Sequence, residues 1–298
     1  MVTLEHLTKK YADFTAVKNL DGTIEDGCIY GLVGFNGAGK TTLLKTIAGV
    51  YRADAGRVLV NGENIYENER LKSGVFLLSD DMYFLPQSTL KEMAKFYRGY
   101  YPAWSEKTFE KITALFELDP AARINGYSKG MHRQAGMVLA LAAHPHTLLL
   151  DEAFDGLDLA KRRLLARILK EYAREKGAVV IVASHNLREL ENLVDHLGII
   201  KDHVFYFNDS IEAMKRSRSK YRAQFGPDVT LEALGALHLS LLAKEDDGFS
   251  FLCEGNEAAV HKTLDPLGLT VLERMPMTLE EFFMEQREGQ EDAFTDLF

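Results

Sequence analysis

The apolar positions of this chain fall into two kinds of pattern. Three short stretches are continuously apolar: CIYGLV at 28–33, TLLL at 147–150 and VVIVA at 179–183. Runs of this length read as strands buried on both faces, as in a parallel sheet. Other apolar residues recur at helical spacing, at 90, 93, 94 and 97 and again at 109, 112, 115 and 116. TTLLKTIAGV (41–50) and the alanine- and leucine-rich segment from Gln134 to Ala143 also read as helices, and VTLEHLTKK (2–10) is strand-like. Buried strands interleaved with helices predict an α/β fold. After about residue 212 the pattern changes. YRAQF, LSLLAKE, FSFLCEG and LTVLERM read as strands, and NEAAVHKTLDPLG reads as a helix with Asn256 as its cap. TLEEFFMEQREG reads as a final amphipathic helix, and the acidic EDAFTDLF as a frayed end. The expected organisation is an α/β domain over 1–211, with a helical subdomain at about 85–135, and a small α+β extension over 212–298.

Composition narrows the class. The 298 residues suit one large or two modest domains, with 46% hydrophobic residues to build a core. A net charge of −9 argues against general nucleic-acid binding. The exception is the basic run KRSRSK at 215–220, read as a solvated inter-domain segment, with contact to anionic lipid headgroups as the alternative. Cys28 and Cys253 have no metal-ligand spacing and read as free thiols in a reducing compartment. Met1 leads into VTLEHLTKKY, which is not a signal peptide, and no apolar run approaches the roughly 20 residues of a membrane helix. Work on a membrane would therefore require another chain.

The chemistry begins at residues 34–41, GFNGAGKT, which match the phosphate-cradling pattern G-x-x-x-x-G-K-[ST]. Gly34, Gly37 and Gly39 allow a tight turn whose N–H groups aim at phosphate oxygens. Lys40 supplies a charge to the β/γ-phosphates, and Thr41 a hydroxyl to Mg²⁺. The loop lies between a strand and a helix, so phosphates would sit on a helix N-terminus. A second apolar strand, Thr147 to Leu150, ends in Asp151 and Glu152. Carboxylates at the C-terminal end of such a strand fall in the crevice where open α/β sheets bind ligands. Asp151 can hold the Mg²⁺ shell. Glu152, one residue on and expected on the other side of the strand, can polarise an attacking water. GYSKGM (126–131) precedes a helix and places Ser128 and Gly130 at its N-terminus. By itself this is a weak sign, because Ser-x-Gly there is usually only a cap. VVIVASHN (179–186) ends in Ser184 and His185, and a lone His after a strand is more often structural than catalytic.

In order along the chain, the phosphate loop, YSKGM, LLLDE, GLD and SH together resemble the ATP-binding cassette (ABC) ATPases, the motor subunits of ABC transporters. The resemblance covers residues 2 to about 210 and implies a P-loop NTPase fold, ATP and Mg²⁺ as ligands, and two cassettes closing head to tail on two ATP molecules. It implies that Lys40, Thr41, Asp151 and Glu152 act in cis, with Asn36, Ala38 and Thr42 completing the nucleotide cradle. Ser128 and Gly130 would bind the γ-phosphate held by the other subunit. Asp158 of GLD matches the loop that crosses the dimer, and His185 the switch histidine. Tyr11 matches the aromatic residue that stacks on adenine, although an aromatic there is as often core or surface.

Three segments depart from the family pattern, one of them only at Ala153, which replaces the common proline after Glu152. Counting back from Thr89 and Glu92, Asp80 occupies the place of the usual Mg²⁺-facing Gln, with Ser79 one residue off and Gln87 out of register. Asp80 keeps an oxygen ligand but is shorter and charged. Lys129 and Met131 alter the signature, and Lys129 should have an ordinary backbone. YSKGM and the YYPAW stretch (100–104) resemble a subgroup of bacterial ABC-2-type export ATPases of the YtrB kind. Tyr100, Tyr101 and Trp104 either pack on the subdomain or face a partner. The resemblance implies a peripheral subunit on the inner face of the cell membrane, partnered by an integral-membrane permease on a separate chain and a second cassette, identical or not, and no nucleic acid. Alternatives are a soluble ABC ATPase acting on ribosomes or DNA and a low-turnover nucleotide switch. A single phosphate loop and the absence of a long heptad run argue against the former.

Overall fold

The continuous apolar runs form the inner strands of a parallel sheet. The computed structural model describes residues 1–225, 239–245, 248–254 and 257–284. The chain divides into two compact units, Met1–Asp209 and Ser210–Phe298.

The first unit opens with β1 (Val2–Tyr11) and β2 (Phe14–Ile24), an antiparallel pair closed by a short turn at Ala12, which has a φ of 50°. Next come β3 (Ile29–Gly34), α1 (Lys40–Ile47), β4 (Ala55–Val60), β5 (Glu63–Asn64), α2 (Glu69–Lys72) and β6 (Val75–Leu78). A helical insertion follows, with α3 (Leu90–Arg98), α4 (Glu106–Phe116) and α5 (Lys129–Ala142). The unit finishes with β7 (Thr147–Asp151), α6 (Leu159–Lys176), β8 (Val179–Ala183), α7 (Leu187–Leu190), β9 (His196–Lys201) and β10 (Val204–Ser210).

Two sheets result. One has the order β2-β1-β4-β5, and the other β10-β9-β3-β8-β7-β6. Within the second, β9, β3, β8, β7 and β6 run parallel. Residues of β3, β7 and β8 are buried on both faces, because helices and the first sheet cover them. A single apolar core joins Val2, Leu4 and Leu20 of the antiparallel sheet to Leu43, Leu44 and Ile47 of α1 and to Leu32, Leu149 and Ile181 of the parallel sheet. Burying α1 in this way fixes its first turn, and with it the phosphate loop, against the sheet's C-terminal edge.

In the helical insertion Leu90, Met93 and Ala94 are buried, as are Phe109, Ile112 and Phe116. Leu115 is 38% exposed, contrary to its expected place on the apolar face, and Thr113 is buried in its stead. Helix α5 begins at Lys129 rather than Gln134, because Ser128 caps it and a polar first turn precedes its apolar body. The aromatic cluster divides. Tyr101 stacks on Tyr97 and Phe76, and Trp104 packs on Phe109, whereas Tyr100 is exposed beside Phe96.

The second unit has α8 (Ile211–Ser217), β11 (Ser219–Phe225), β12 (Ser240–Glu245), β13 (Gly248–Cys253), α9 (Glu257–Leu264), β14 (Leu269–Met275) and α10 (Leu279–Met284). Its antiparallel sheet has the order β12-β13-β11-β14, with a core of Tyr221, Phe249, Phe251, Val260 and Leu264. The basic run is not a linker. Lys215 and Arg216 end α8, Ser219 and Lys220 start β11, Arg218 pairs with Glu254 and Lys220 with Glu281. The expected Asn256 cap, the last turns of the final helix and the acidic end lie outside the described residues. Both cysteines are buried and neither forms a disulfide among the described residues, and burial beside Asp195 and Glu25 pushes the Cys28 thiol up to about 12. Among the described residues no helix is long and apolar enough to cross a membrane.

Candidate nucleotide site

Strand β3 delivers the chain to the phosphate loop, and the loop's geometry demands glycine. Gly39 has a φ of 105°, and a Cβ there would lie 2.2 Å from the carbonyl oxygen of Ala16. Lys40 starts α1 and is only 6% exposed. Its Nζ donates to the carbonyl oxygens of Gly34, at 2.7 Å, and Phe35, at 3.5 Å, so the lysine bridges its own loop. Burial lowers its pKa, and the nearby Glu152 and Asp151 act in the opposite direction.

Thr41, one residue on, donates its hydroxyl to Asp151 Oδ2 at 2.7 Å. Asp151 ends β7 and is 2% exposed. Burial raises its pKa. The Thr41 hydrogen bond and Lys40 lower it, while the like charges of Glu152 and Asp80 raise it further. A hydroxyl and a carboxylate, crowded by further carboxylates, form an oxygen donor set suited to a hard divalent cation. Among the described residues no group of three or more His, Cys, Asp and Glu side chains is placed to hold a metal by itself. A cation here would need phosphate oxygens and water to complete its shell.

The next residue corrects a sequence expectation. Glu152 is not an extended strand residue whose side chain alternates with that of Asp151. It has a φ of 49°, in the left-handed region, so a turn rather than the pleat of β7 sets its direction. Its Oε2 lies 2.9 Å from His185 Nδ1 and accepts the His185 N–H at 3.3 Å. Strand β8 runs beside β7 with Asp151 opposite Ala183, which brings the two chain ends together. Glu189 closes the turn around His185. It accepts from the Ser184 hydroxyl and the Asn186 amide, both at 3.1 Å, and lies 3.5 Å from Arg162.

These groups share one cavity of about 590 Å³, within the range of roughly 300–1,000 Å³ usual for small-molecule sites. Asn36 to Thr42 line it, together with Tyr11, Asp80, Asp151, Glu152 and His185. Gly34 does not line it; its carbonyl oxygen accepts from the lining residue Lys40. Tyr11 is 42% exposed, packs edge-on against Tyr51 and places its hydroxyl 3.4 Å from Thr42 Oγ1.

Other residues singled out in the sequence stand elsewhere. Ser128, Gly130 and Asp158 do not line the cavity. Ser128 accepts the Met131 N–H to cap α5, and Asp158 accepts the Lys161 N–H to cap α6. Lys129 has an ordinary helical backbone and pairs with Asp155 at 2.6 Å. Gln87 faces Arg123, at 2.7 Å. Sequence reasoning missed Phe14, Ala16, Phe35 and Asp155 in the cavity wall. Phe14 faces Tyr11 across the β1–β2 turn, a pairing that the Y-x-x-F spacing could have suggested.

A family model described as ABC transporter matches residues 17–155. The bacitracin transport ATP-binding protein BcrA of Enterococcus faecalis is 30% identical over 226 residues, which cover 74% of this chain and 73% of that protein. The chain belongs to the ABC transporter family. Within that family it is an ATP-binding subunit, and its enzymatic activity is that of an ATPase. The ABC transporter ATP-binding protein YtrB of Bacillus subtilis (strain 168) is 26% identical over 290 residues, 97% of this cassette-containing chain and 99% of YtrB, so the similarity extends through the second unit. A dimeric ATP-binding cassette in a post-hydrolysis state with ADP and Pi has the same fold. Its TM-score is 0.63 at 22% identity, over 71% of this chain and 99% of that one.

Proposed function

We propose that this protein is the motor subunit of a bacterial ABC exporter, in which ATP-driven closure of two cassettes moves a separate membrane permease. The observation that carries the reading is the division of the phosphate-directed residues. Lys40, Thr41, Asp151, Glu152 and His185 converge on one cavity, whereas Ser128, Gly130 and Asp158 lie at helix N-termini outside it. A second cassette, set head to tail, would bring its Ser128 and Gly130 to the γ-phosphate. A homodimer is the simplest arrangement.

In this reading Tyr11 stacks on adenine, and the loop from Gly34 to Thr42, with Asn36, Gly37, Ala38 and Gly39, cradles the phosphates. Lys40 leaves its own loop carbonyls for the β/γ-phosphates. Thr41, Asp151 and Asp80 would hold Mg²⁺, which supplies charge neutralisation at the phosphates when bound. Glu152 accepts a proton from the attacking water, and His185 holds Glu152 and contacts the γ-phosphate. Catalysis then rests on positioning and on charges fixed before reaction. The reading of export is supported by the resemblance of the YSKGM signature and the YYPAW stretch to ABC-2-type export ATPases, and that of location on the inner membrane face by the need for a permease partner.

The test is light scattering of Glu152→Gln on a sizing column, with and without ATP. The expected result is an ATP-dependent shift from monomer to dimer. A monomer with ATP demonstrably bound would contradict closure by self-association.

A further inference from the structure

Asp80 is a charged residue at a place where the resemblance expects a neutral amide, and its partner explains how the charge is accommodated. Arg133, on the second turn of α5, is nearly enclosed, with a side chain 4% exposed. Its Nη2 donates to Asp80 Oδ1, and its Nη1 donates to the carbonyl oxygens of Ser79, at 3.2 Å, and Asp80, at 3.1 Å. A guanidinium buried this far from water is tolerated only where such acceptors meet it. The same helix holds the segment by packing. One turn along α5, a Cβ on Gly136 would lie 2.5 Å from Met82 Sδ and 2.6 Å from Leu78 Cδ1. The segment around Asp80 is therefore docked on α5 by an ion pair on one turn and by close packing on the next. Among the described residues Oδ2 of Asp80 makes no hydrogen bond, and Asp80 lines the nucleotide cavity near enough to Asp151 for their charges to interact.

We propose that Arg133 is the positioning residue for Asp80: it fixes one carboxylate oxygen and presents the other to the cation of the nucleotide site. This rests on the reading of Asp80 as an oxygen ligand to Mg²⁺. Helix α5 also carries Ser128 at its N-terminus, so the contact ties the helix proposed to meet the second cassette's ATP to the cation of its own site.

The experiment measures binding of a fluorescent ATP analogue to Glu152→Gln protein by equilibrium titration, in EDTA and across a Mg²⁺ series. Adding Arg133→Gln should raise the Mg²⁺ concentration for half-maximal tight binding by about tenfold or more, the usual effect of removing a group that orients a metal ligand. Affinity in EDTA should be unchanged. Combining Asp80→Gln with Arg133→Gln should restore the Mg²⁺ dependence, because neither charge is then left unpaired; a role for Arg133 that does not act through Asp80 predicts no such rescue. If Arg133→Gln unfolds, Arg133→Lys serves, since it keeps the charge but loses the fork, and it should give a smaller shift in the same direction. Superimposable Mg²⁺ curves, or equal weakening with and without Mg²⁺, would overturn the inference. So would unaltered Mg²⁺ dependence in Asp80→Asn, with ATP binding and the motor reading left standing. Failure of the Glu152→Gln protein to bind the analogue at all would instead remove the motor reading, and this inference with it.

Discussion

Lys40 and Asp151 carry opposite charges, yet burial acts against both. Asp151 is held above the ordinary carboxylate range by burial and by its acidic neighbours, so the folded chain binds its proton more tightly than the unfolded chain does. The ionised carboxylate therefore costs stability at neutral pH, and that cost is relieved as pH falls through its raised pKa. Asp151→Asn is expected to raise the melting temperature in EDTA at pH 7 while abolishing hydrolysis; a lower melting temperature would contradict this. Lys40 has the reverse shift, a pKa below 10.5, so it loses its proton sooner than an exposed lysine as pH rises. ATP affinity measured in EDTA should accordingly fall on the alkaline side before pH 10.5, and calorimetric titration across pH would show it. At this scale the phosphate loop was legible because its chemistry lies in consecutive residues. The Asp80–Arg133 and Lys129–Asp155 pairs were not, because each joins residues far apart in the chain.

Helix α3 shows what local sequence can specify at the scale of an element. Thr89 Oγ1 accepts the Glu92 N–H at 3.2 Å, and Glu92 Oε2 accepts the Thr89 N–H at 2.8 Å, which is a reciprocal cap. Thr89→Ala should cost about 1 kcal/mol in urea denaturation. An unchanged midpoint would show that packing of Leu90 and Met93 alone sets the helix start. The inner strands were equally legible, since only a doubly covered strand is apolar throughout. Boundaries and faces were less so. Helix α5 starts earlier than its apolar body, and Leu115 turned outward, because side-chain spacing does not reveal which neighbour covers a face. Glu152 left the strand pattern through a backbone conformation that no periodicity encodes.

At the scale of the whole molecule, the unit Met1–Asp209 has its own core and its own nucleotide cavity. A chain ending at Asp209 is expected to unfold cooperatively and to bind ATP as the full chain does, checked by urea denaturation and titration with a fluorescent ATP analogue. Loss of cooperative unfolding would show that the fold of this unit depends on Ser210–Phe298. The sequence by itself determined the phosphate loop, the buried strands, the helical insertion and the change to an α+β pattern after about residue 212. Each of these follows from backbone periodicity or turn chemistry within a few residues. Only the tertiary structure decided which side chains share the cavity: His185 meets Glu152 across 33 residues, and Thr41 meets Asp151 across 110. Those meetings depend on the strand order of the parallel sheet, which places β7 and β8 side by side and sets β3, followed by α1, next to them. Strand order is fixed by how all the apolar faces are covered together, and no local stretch of sequence carries that information.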